Sequence, residues 1–424
     1  MRVIVLGAGV VGTAAAWFLA GAGHQVTVIE RQPAAGLETS FANGGQISVS
    51  HAEPWANPGA PLKVLQWMFR EDAPLLFRPR ADLRQWRWCL QFLRECTPAR
   101  TRHNIIQLVN LGLYSRGLLR ELRAGTGIEY DHLERGILHF YTSQEAFDAA
   151  QEPARIMREF GCELEMKTPD ECVAIEPALA QARHKIAGGS LTPSDESGDA
   201  HLFTQRLAAL CEKSGVRFLY GHNITHIALA GGEVSGVAVT GPDGRASTII
   251  GDAYVVALGS YSPQLLAPLG IRLSIYPAKG YSVTMPVADA TRAYQVSLTD
   301  DEYKLVYSRL GDRLRIAGTC ELNGYDLALN EVRCQAIIRR TQELFPGAGD
   351  VRQAGYWTGL RPATPSNVPY IGKTKYPKLY LDTGHGTLGW THACGSGKAI
   401  ADIVSGKAPE VDFAFVGMPG QPRA

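Results

Sequence analysis

Three glycines and an acid near the start of the chain have the types and spacing that a dinucleotide site requires. Gly7, Gly9 and Gly12 form a G-x-G-x-x-G pattern, and Glu30 follows Gly12 by 18 positions. In this pattern the glycines permit a tight turn, close approach of the backbone to a pyrophosphate, and close packing of a helix on a strand. The acid accepts hydrogen bonds from a ribose and would repel a ribose phosphate, which disfavours NADP.

The elements around these residues fit that interpretation. Residues 3–6 form a short apolar run typical of a strand covered on both faces, residues 13–22 predict a helix, and residues 25–29 predict a second strand. The alternative is a signal or anchor segment, since residues 3–20 carry no charge. The glycines argue against it, because they would interrupt a spanning helix. The predicted contacts with the nucleotide also include Ala8, Val10, Val11 and Arg31.

Two further segments are predicted to contact the same ligand. Residues 31–46 form a loop rich in small and hydrogen-bonding residues, and strands predicted over residues 224–230 and 253–258 return the chain toward the nucleotide. The candidate residues in these segments are Thr39, Ser40, Asn43, Gly44, Gly45, Gln46, Ile224, Ala257 and Gly259.

The end of the chain distinguishes a flavin from NAD. Residues 379–397 predict a strand and a glycine-rich turn, and a helix is predicted over residues 398–404. A reduced flavin carries negative charge at one edge of its ring, and backbone N–H groups at a helix start can stabilise that charge. The candidates are Gly386, Thr387, Leu388 and Gly389. The alternative is a turn that serves packing alone.

Composition narrows the class of protein. The chain has 424 residues, of which 45% are hydrophobic and 20% charged, so one elaborated domain or two domains are expected. The net charge of +1 gives no reason to expect nucleic acid as a partner. The eight cysteines include no C-x-x-C pair, and His222 and His226 lie in a β-like stretch, so we predict reduced, cytosolic thiols and no metal site.

A helical stretch over residues 60–123 combines aromatic and apolar residues with arginines. Its aromatic part includes Trp67, Phe69, Trp86 and Trp88. This composition suits a helix at a membrane interface, although a helical layer that packs on its own domain would have the same pattern.

Five motifs together resemble one family. They are GAGVVG with Glu30, ETSFANGGQIS, PAKGYS, GLRP and GHGTLGW, and in this order they cover nearly the whole chain. The chain is similar to the FAD-dependent D-amino-acid oxidase/glycine oxidase family, most of all to its bacterial dehydrogenases. The resemblance implies an α/β fold with a Rossmann-like FAD-binding domain and a discontinuous α+β substrate domain built on a large antiparallel sheet. The implied FAD segments are 1–60, 196–265 and 346–424, and the implied substrate segments are 61–195 and 266–345.

The resemblance also assigns site residues. Arg361 of GLRP matches the arginine that pairs with the substrate carboxylate; a structural ion pair is the alternative. Tyr276 and Tyr281, near PAKGYS, either line the pocket or pack in the core. Trp357 and Thr358 stand where relatives with covalent flavin carry cysteine, which implies noncovalent FAD.

The reaction implied is oxidation of a small neutral D-amino acid such as D-alanine. A hydride passes from Cα to flavin N5, and water converts the imino acid to a 2-oxo acid and ammonia; positioning does most of the work, so no general base is nominated. Electrons are expected to leave to a respiratory quinone or another acceptor, from a cytoplasmic protein held peripherally on the cytoplasmic face of the inner membrane. Two alternatives stay open: a D-proline, hydroxyproline, glycine or sarcosine enzyme, and a flavin-carrying electron-transfer subunit.

Overall fold

A computed structural model describes residues 1–68 and 70–418. Phe69 of the predicted aromatic stretch, and residues 419–424 of the last predicted FAD segment, lie outside the described residues.

The strands are β1 Arg2–Leu6, β2 Gln25–Ile29, β3 Gln46–Ile47, β4 Leu75–Phe77, β5 Ile137–Tyr141, β6 Glu165–Lys167, β7 Gly188–Thr192, β8 Glu196–Ser197, β9 Arg217–Leu219, β10 Asn223–Ala230, β11 Glu233–Thr240, β12 Ala246–Ile249, β13 Ala253–Val256, β14 Tyr276–Pro286, β15 Ser297–Asp300, β16 Leu305–Leu310, β17 Arg313–Leu322, β18 Gly355–Ala363, β19 Tyr370–Lys373 and β20 Leu379–Thr383. The helices are α1 Val10–Gly21, α2 Ala60–Trp67, α3 Leu83–Glu95, α4 Pro98–Thr126, α5 Gln144–Ala149, α6 Gln151–Glu159, α7 Pro169–Ile175, α8 Ala200–Lys213, α9 Ser262–Leu266, α10 Glu331–Leu344 and α11 Gly389–Val404.

The first large sheet has the strand order β19-β20-β13-β1-β2-β9. Its strands are parallel except for the antiparallel pair β19 and β20. Along β1, Val3 and Val5 pack in the core formed with α1, α8 and α11, whereas Ile4 and Leu6 pack in the core formed with β10 and β11. Burial on both faces explains the continuous apolar run in β1.

The second large sheet has nine strands in the order β18-β14-β17-β16-β15-β5-β7-β6, with β4 paired to β17. Its pairings are antiparallel except for β5 with β15 and β4 with β17. The α10 residues Cys334 and Ile337 pack on one face of it, and Trp88 of α3 packs on the other. A parallel sheet with helices, joined to a mainly antiparallel sheet, confirms the predicted α/β fold class.

The strands of the first sheet come from three distant parts of the chain, residues 2–29, 217–256 and 370–383. Strand β18 pairs with β14 in the second sheet, although its residues fall in the predicted FAD segment 346–424. The domain boundaries themselves stay a prediction.

Helix α11 begins nine residues before the predicted start at residue 398. The glycine-rich sequence looks like a turn, but its glycines lie at helix contacts. A Cβ on Gly395 would lie 2.8 Å from the Cβ of Ser115 in α4, and one on Gly397 would lie 2.8 Å from the carbonyl carbon of Ala14 in α1. The prediction was wrong here because these glycines permit close helix packing and do not end a helix.

Within residues 1–68 and 70–418, no helix has the length and apolar character needed to cross a bilayer. The same residues contain no group of three or more His, Cys, Asp or Glu side chains arranged to hold a metal ion.

Candidate cofactor cleft and substrate anchor

A cleft of about 330 Å³ lies at the carboxyl ends of β1, β2, β13 and β20. In open parallel sheets ligands bind in this position. The predicted cofactor residues that line it are Gly7, Gly9, Val10, Val11, Glu30, Arg31, Thr39, Ser40, Ile224, Ala257, Gly259, Gly386 and Gly389. Thirteen residues from four distant segments therefore meet at one cleft.

The motif glycines have distinct positions at this cleft. Gly7 has a φ of 105°, and a Cβ on Gly12 would lie 2.0 Å from the carbonyl oxygen of Gly7. A Cβ on Gly9, in contrast, would meet nothing closer than Ser40 Oγ at 3.7 Å. Gly12 thus permits the helix to pack on the turn, whereas Gly9 leaves open space beside the first turn of α1.

The start of α1 has the properties of an anion site. Gly9 occupies the N-cap without a side-chain hydrogen bond, and the first turn contains no acid. The Val10 N–H donates to Ser40 Oγ at 3.0 Å. A helix N-terminus with free N–H groups and a neutral hydroxyl nearby fits a pyrophosphate.

Glu30 lies where β2 ends, at the edge of the cleft. Its carboxylate accepts hydrogen bonds from the N–H groups of Ala8 at 2.8 Å and Gln32 at 2.9 Å. Burial raises the pKa of Glu30, while these two hydrogen bonds act in the opposite direction. Ala8 is buried and is not part of the cleft lining, and its N–H donates to Glu30, so its contact with the nucleotide stays a prediction.

The glycine-rich turn leads directly into a helix, as a charge-stabilising site requires. A 3₁₀ turn over Gly386–Leu388 continues into α11, and neither start has a side-chain cap. Gly386 and Gly389 line the cleft. Thr387 is exposed, Leu388 packs in the core, and neither belongs to the cleft lining, so the cofactor contacts of these two candidates stay a prediction.

The predicted contacts in residues 43–46 lie against the second sheet and outside the cleft lining. The Gln46 side-chain amide donates to Ser297 Oγ at 3.0 Å, and Ser308 Oγ donates to the Gly44 carbonyl at 2.7 Å. Asn43 Oδ1 accepts from the Gly45 N–H at 2.9 Å. These residues connect the cofactor loop to the strands β15 and β16.

Arg361 lies on β18, next to Pro362, which lines the cofactor cleft. Its guanidinium donates to the carbonyl oxygens of Thr319 at 2.7 Å and Gly318 at 3.3 Å. Burial lowers the pKa of Arg361, but a guanidinium remains charged. Among the described residues no carboxylate oxygen lies within 4.0 Å of it. The described residues therefore offer no structural ion pair for this arginine.

Two residues beside the anchor carry no obvious signal in the sequence. Thr319 has a φ of 50°, which is unfavourable for a β-branched residue and marks local strain. Its buried hydroxyl has no hydrogen-bond partner within the described part of the chain. A Cβ on Gly280 would lie 2.3 Å from Arg361 Cζ, so Gly280 leaves the space that the guanidinium fills.

The two candidate tyrosines lie on opposite faces of the second sheet. Tyr276 packs with Trp88 and Ala278 on one face of the sheet. Arg361 of β18 is the cross-strand partner of Ala278 and therefore lies on the same face. Tyr281 packs on the α10 face, where its hydroxyl donates to Glu321. Because successive side chains of a strand alternate, Tyr281 is not brought to the side of Arg361.

Two histidines near the anchor were not identified from the sequence. Desolvation lowers the pKa of His51 to about 4, and the positive charges of Lys304 and Arg361 contribute. Desolvation also lowers the pKa of His139 to about 3. Their ring centroids are 5.7 Å apart, and Asp195 holds the segment before His51 by accepting from the N–H groups of Val49 and Ser50, both at 3.1 Å. Both imidazoles are neutral at pH 7.

Comparisons of sequence identify close relatives. The sequence model described as "DAO: FAD dependent oxidoreductase" matches residues 2–403. A D-amino acid dehydrogenase of Dechloromonas aromatica is 60% identical over 416 residues, which are 98% of this chain and 100% of that protein. A D-amino acid dehydrogenase of Paramagnetospirillum magneticum is 53% identical over 419 residues, covering 99% of this chain and 98% of that protein.

Comparisons of structure agree on the fold. Glycine oxidase from Geobacillus kaustophilus matches with a TM-score of 0.73 at 23% identity, covering 97% of this chain and 96% of that one. L-Proline dehydrogenase from P. horikoshii matches with a TM-score of 0.74 at 19% identity, covering 96% of this chain and 94% of that one. At these identities the likeness concerns the fold alone.

Proposed function

The chain belongs to the FAD-dependent oxidoreductase family DAO, and from that membership we propose that it oxidises D-amino acids, above all small neutral ones such as D-alanine. The products are a 2-oxo acid and ammonia. Both sequence relatives are named D-amino acid dehydrogenase, and the similarity covers nearly their full length. These two facts support this substrate class.

One observation of the structure supports the proposal independently of family membership. A guanidinium with no carboxylate partner in the described chain stands one residue away from the lining of the cofactor cleft. A planar guanidinium binds a carboxylate through two parallel hydrogen bonds and so fixes the orientation of the bound molecule. An amino acid held in this way would present its Cα to the cleft.

The residues of this chain provide binding and orientation. Arg361 holds the substrate carboxylate, and the carbonyls of Gly318 and Thr319 hold the guanidinium in place. The ring of His51 is neutral and adds no positive charge near Arg361, and the substrate amine must itself be neutral to react. FAD, when bound, supplies the hydride acceptor. Holding two reactants in a reactive geometry accounts for much of the barrier reduction in such reactions.

The test is anaerobic mixing of the purified protein with paired D- and L-amino acids while flavin absorbance is followed. We expect loss of absorbance with D-alanine and retention with L-alanine. Including D-proline and glycine in the panel separates the other substrates considered above. A yellow protein that no D-amino acid bleaches would refute the proposed function and leave FAD binding intact.

Adding a methyl group beside the anchor should weaken substrate binding without unfolding the protein. In Gly280→Ala the new Cβ falls 2.3–2.5 Å from three guanidinium atoms of Arg361. Gly280 has no positive φ, so the flexible guanidinium is the group that must move. We expect kcat/KM for D-alanine to fall about a hundredfold, as displacements of about 1 Å can cause.

The control for this variant is Gly355→Ala on β18. Its Cβ would meet nothing closer than 3.9 Å, so activity should be unchanged. Steady-state kinetics with an artificial dye and a thermal melt of both variants make the comparison. Equal activity of the two variants would show that Arg361 does not need its observed position.

We further propose that the FAD is held noncovalently, that its electrons pass to a respiratory quinone, and that the protein docks peripherally on the cytoplasmic face of the inner membrane. An exposed stripe on α3 supports docking; it consists of Leu83, Trp86, Leu90 and Leu93, spaced at helical intervals. Arg87 and Arg94 are interspersed with the stripe. Apolar side chains flanked by arginines match the interface of an anionic membrane.

Charge on this stripe should prevent docking. In a Leu90→Glu/Leu93→Glu double variant we expect cosedimentation with phosphatidylglycerol-containing vesicles to fall at least about tenfold, because each acid is costly to desolvate. The two leucines are 51% and 54% exposed, so stability should not change. Leu229→Glu, on β10, is the matched control at an exposed leucine elsewhere. Equal sedimentation of all three proteins would exclude this stripe as the docking surface.

A further inference from the structure

A buried acid without hydrogen bonds lies at the cofactor cleft. Asp382, near the end of β20, lines the cleft and is 0% exposed. Neither of its carboxylate oxygens has a hydrogen-bond partner among the described residues. His385 Nε2 lies 3.4 Å from Asp382 Oδ1, but it too is without a hydrogen bond. Unpaired buried groups of this kind call for a partner that the polypeptide does not supply.

The surroundings of Asp382 favour the neutral acid. Its partner on β19 is Ile371, the turn after it contributes His385, and α11 contributes the Ser396 hydroxyl and His392. Within residues 1–68 and 70–418, His385 is the one basic group within 4.0 Å of its oxygens. Burial raises the pKa of Asp382 to about 8, opposed only by the nearby Ser396 hydroxyl, which itself donates to the Ala393 carbonyl at 3.4 Å and leaves both Asp382 oxygens without a partner among the described residues.

The two histidines do not compensate a negative charge there. Burial lowers the pKa of His385 to about 3 and that of His392 to about 4. His392 Nε2 lies 3.3 Å from the Leu108 carbonyl, which fixes it as the donor in that contact. A neutral acid facing neutral imidazoles is thus the state at pH 7, since an unpaired buried carboxylate would be strongly unfavourable.

The strand order indicates which part of the cofactor Asp382 meets. Glu30, on the ribose side, follows β2, and the N-terminus of α1, on the pyrophosphate side, follows β1. Strand β20 lies two places from β1 in the opposite direction, beyond β13. A dinucleotide extended across these strand ends would have its flavin mononucleotide half at Asp382.

We propose that Asp382 binds FAD as a protonated carboxylic acid that donates a hydrogen bond to an oxygen atom in the flavin mononucleotide half, and that its ionisation releases the cofactor. The proposal rests on the FAD dependence of the family and not on the substrate. Asparagine has the same shape and keeps a donor, so Asp382→Asn is the variant that preserves the bond and removes the titration.

The direction of the pH dependence follows from the raised pKa. The protonated acid predominates below about pH 8, so FAD affinity is constant there. Above about pH 8 the free protein loses this proton, and the Kd for FAD should rise tenfold per pH unit. The Kd of Asp382→Asn should equal that of the wild type at pH 7 and stay constant as the pH rises.

The experiment measures the Kd for FAD from about pH 6.5 to about pH 9.5 by flavin fluorescence, in wild type and Asp382→Asn, with ADP as a second ligand. ADP carries only the adenosine and phosphate half of FAD. Its Kd should therefore depend on pH in the same way in the wild type and in Asp382→Asn. A second readout is the infrared band of a protonated carboxylic acid, expected in wild-type holoprotein at pH 7 and absent from Asp382→Asn.

Four results would overturn the proposal: equal slopes in both proteins, no slope in either, a wild-type slope seen equally with ADP, or no acid band in the wild type. The infrared measurement on wild-type protein does not depend on the variant folding. Failure of D-amino acids to bleach the protein would not affect any of these measurements, so the two proposals fail separately.

Discussion

Arg361→Ala is expected to lose reduction of the flavin by D-alanine at concentrations that fully reduce the wild type. The variant removes the cation that we propose pairs with the substrate carboxylate, in a partly buried site. Removing one member of such a pair costs about 3–5 kcal/mol, which corresponds to a fall in kcat/KM of about two to four orders of magnitude. Anaerobic stopped-flow measurement of flavin absorbance gives this quantity directly.

The variant should keep its flavin, because Arg361 itself is not among the residues that line the cofactor cleft. Arg361→Lys keeps the charge but not the two parallel hydrogen bonds, so its activity should fall between the wild type and the alanine variant. Arg352→Ala removes a guanidinium that is 90% exposed and should have no effect. Unchanged bleaching of Arg361→Ala would mean that another group holds the carboxylate.

Gly9→Val is expected to yield a folded, colourless protein. The Cβ at this position has no close protein neighbour and the φ is ordinary, so the polypeptide accepts the side chain. The added methyl groups occupy the space in front of the first turn of α1, where a pyrophosphate would bind. We expect the Kd for FAD to increase at least about a hundredfold, since displacing phosphate–backbone hydrogen bonds costs about 3 kcal/mol.

The measurement is the ratio of flavin to protein absorbance after purification, followed by titration with FAD. Gly21→Val, at the other end of α1, is the control, because its Cβ meets nothing within 4 Å. Thermal melts of the two apoproteins should agree. If Gly9→Val retained stoichiometric flavin, the cleft beside Gly9 would not be the pyrophosphate site.

Local sequence patterns predicted the turn after β1 and the strand β2 because the geometry of these elements depends on the backbone. The turn after β1 needs glycine at Gly7 and Gly12 for reasons that the structure makes visible, a positive φ and a contact of 2.0 Å. Strand β2 was predicted with its observed bounds, and Glu30 follows it directly. Such features involve neighbours in the chain, so spacing alone reveals them.

The substrate side was less predictable because its residues meet through pairing between distant strands. Whether Tyr276 or Tyr281 shares a face with Arg361 depends on the register of β14 with β18, which no local pattern contains. Thr319 has an unusual φ in β17, and the charges of Lys304 and Arg361 help to lower the pKa of His51; neither feature can be read from a local pattern. The burial of Asp382 likewise depends on β19, β20 and α11 together.

The assembly of the first sheet from three distant segments has a consequence for biosynthesis. Strand β1 leaves the ribosome before the other strands of this sheet, and β20 follows it some 370 residues later. If the two segments bind the two halves of FAD as proposed, the nascent polypeptide has the motif for one half and lacks the other during most of translation. We expect nascent chains to stay flavin-free, with β13 exposed on its open side, and to depend on chaperones until release from the ribosome.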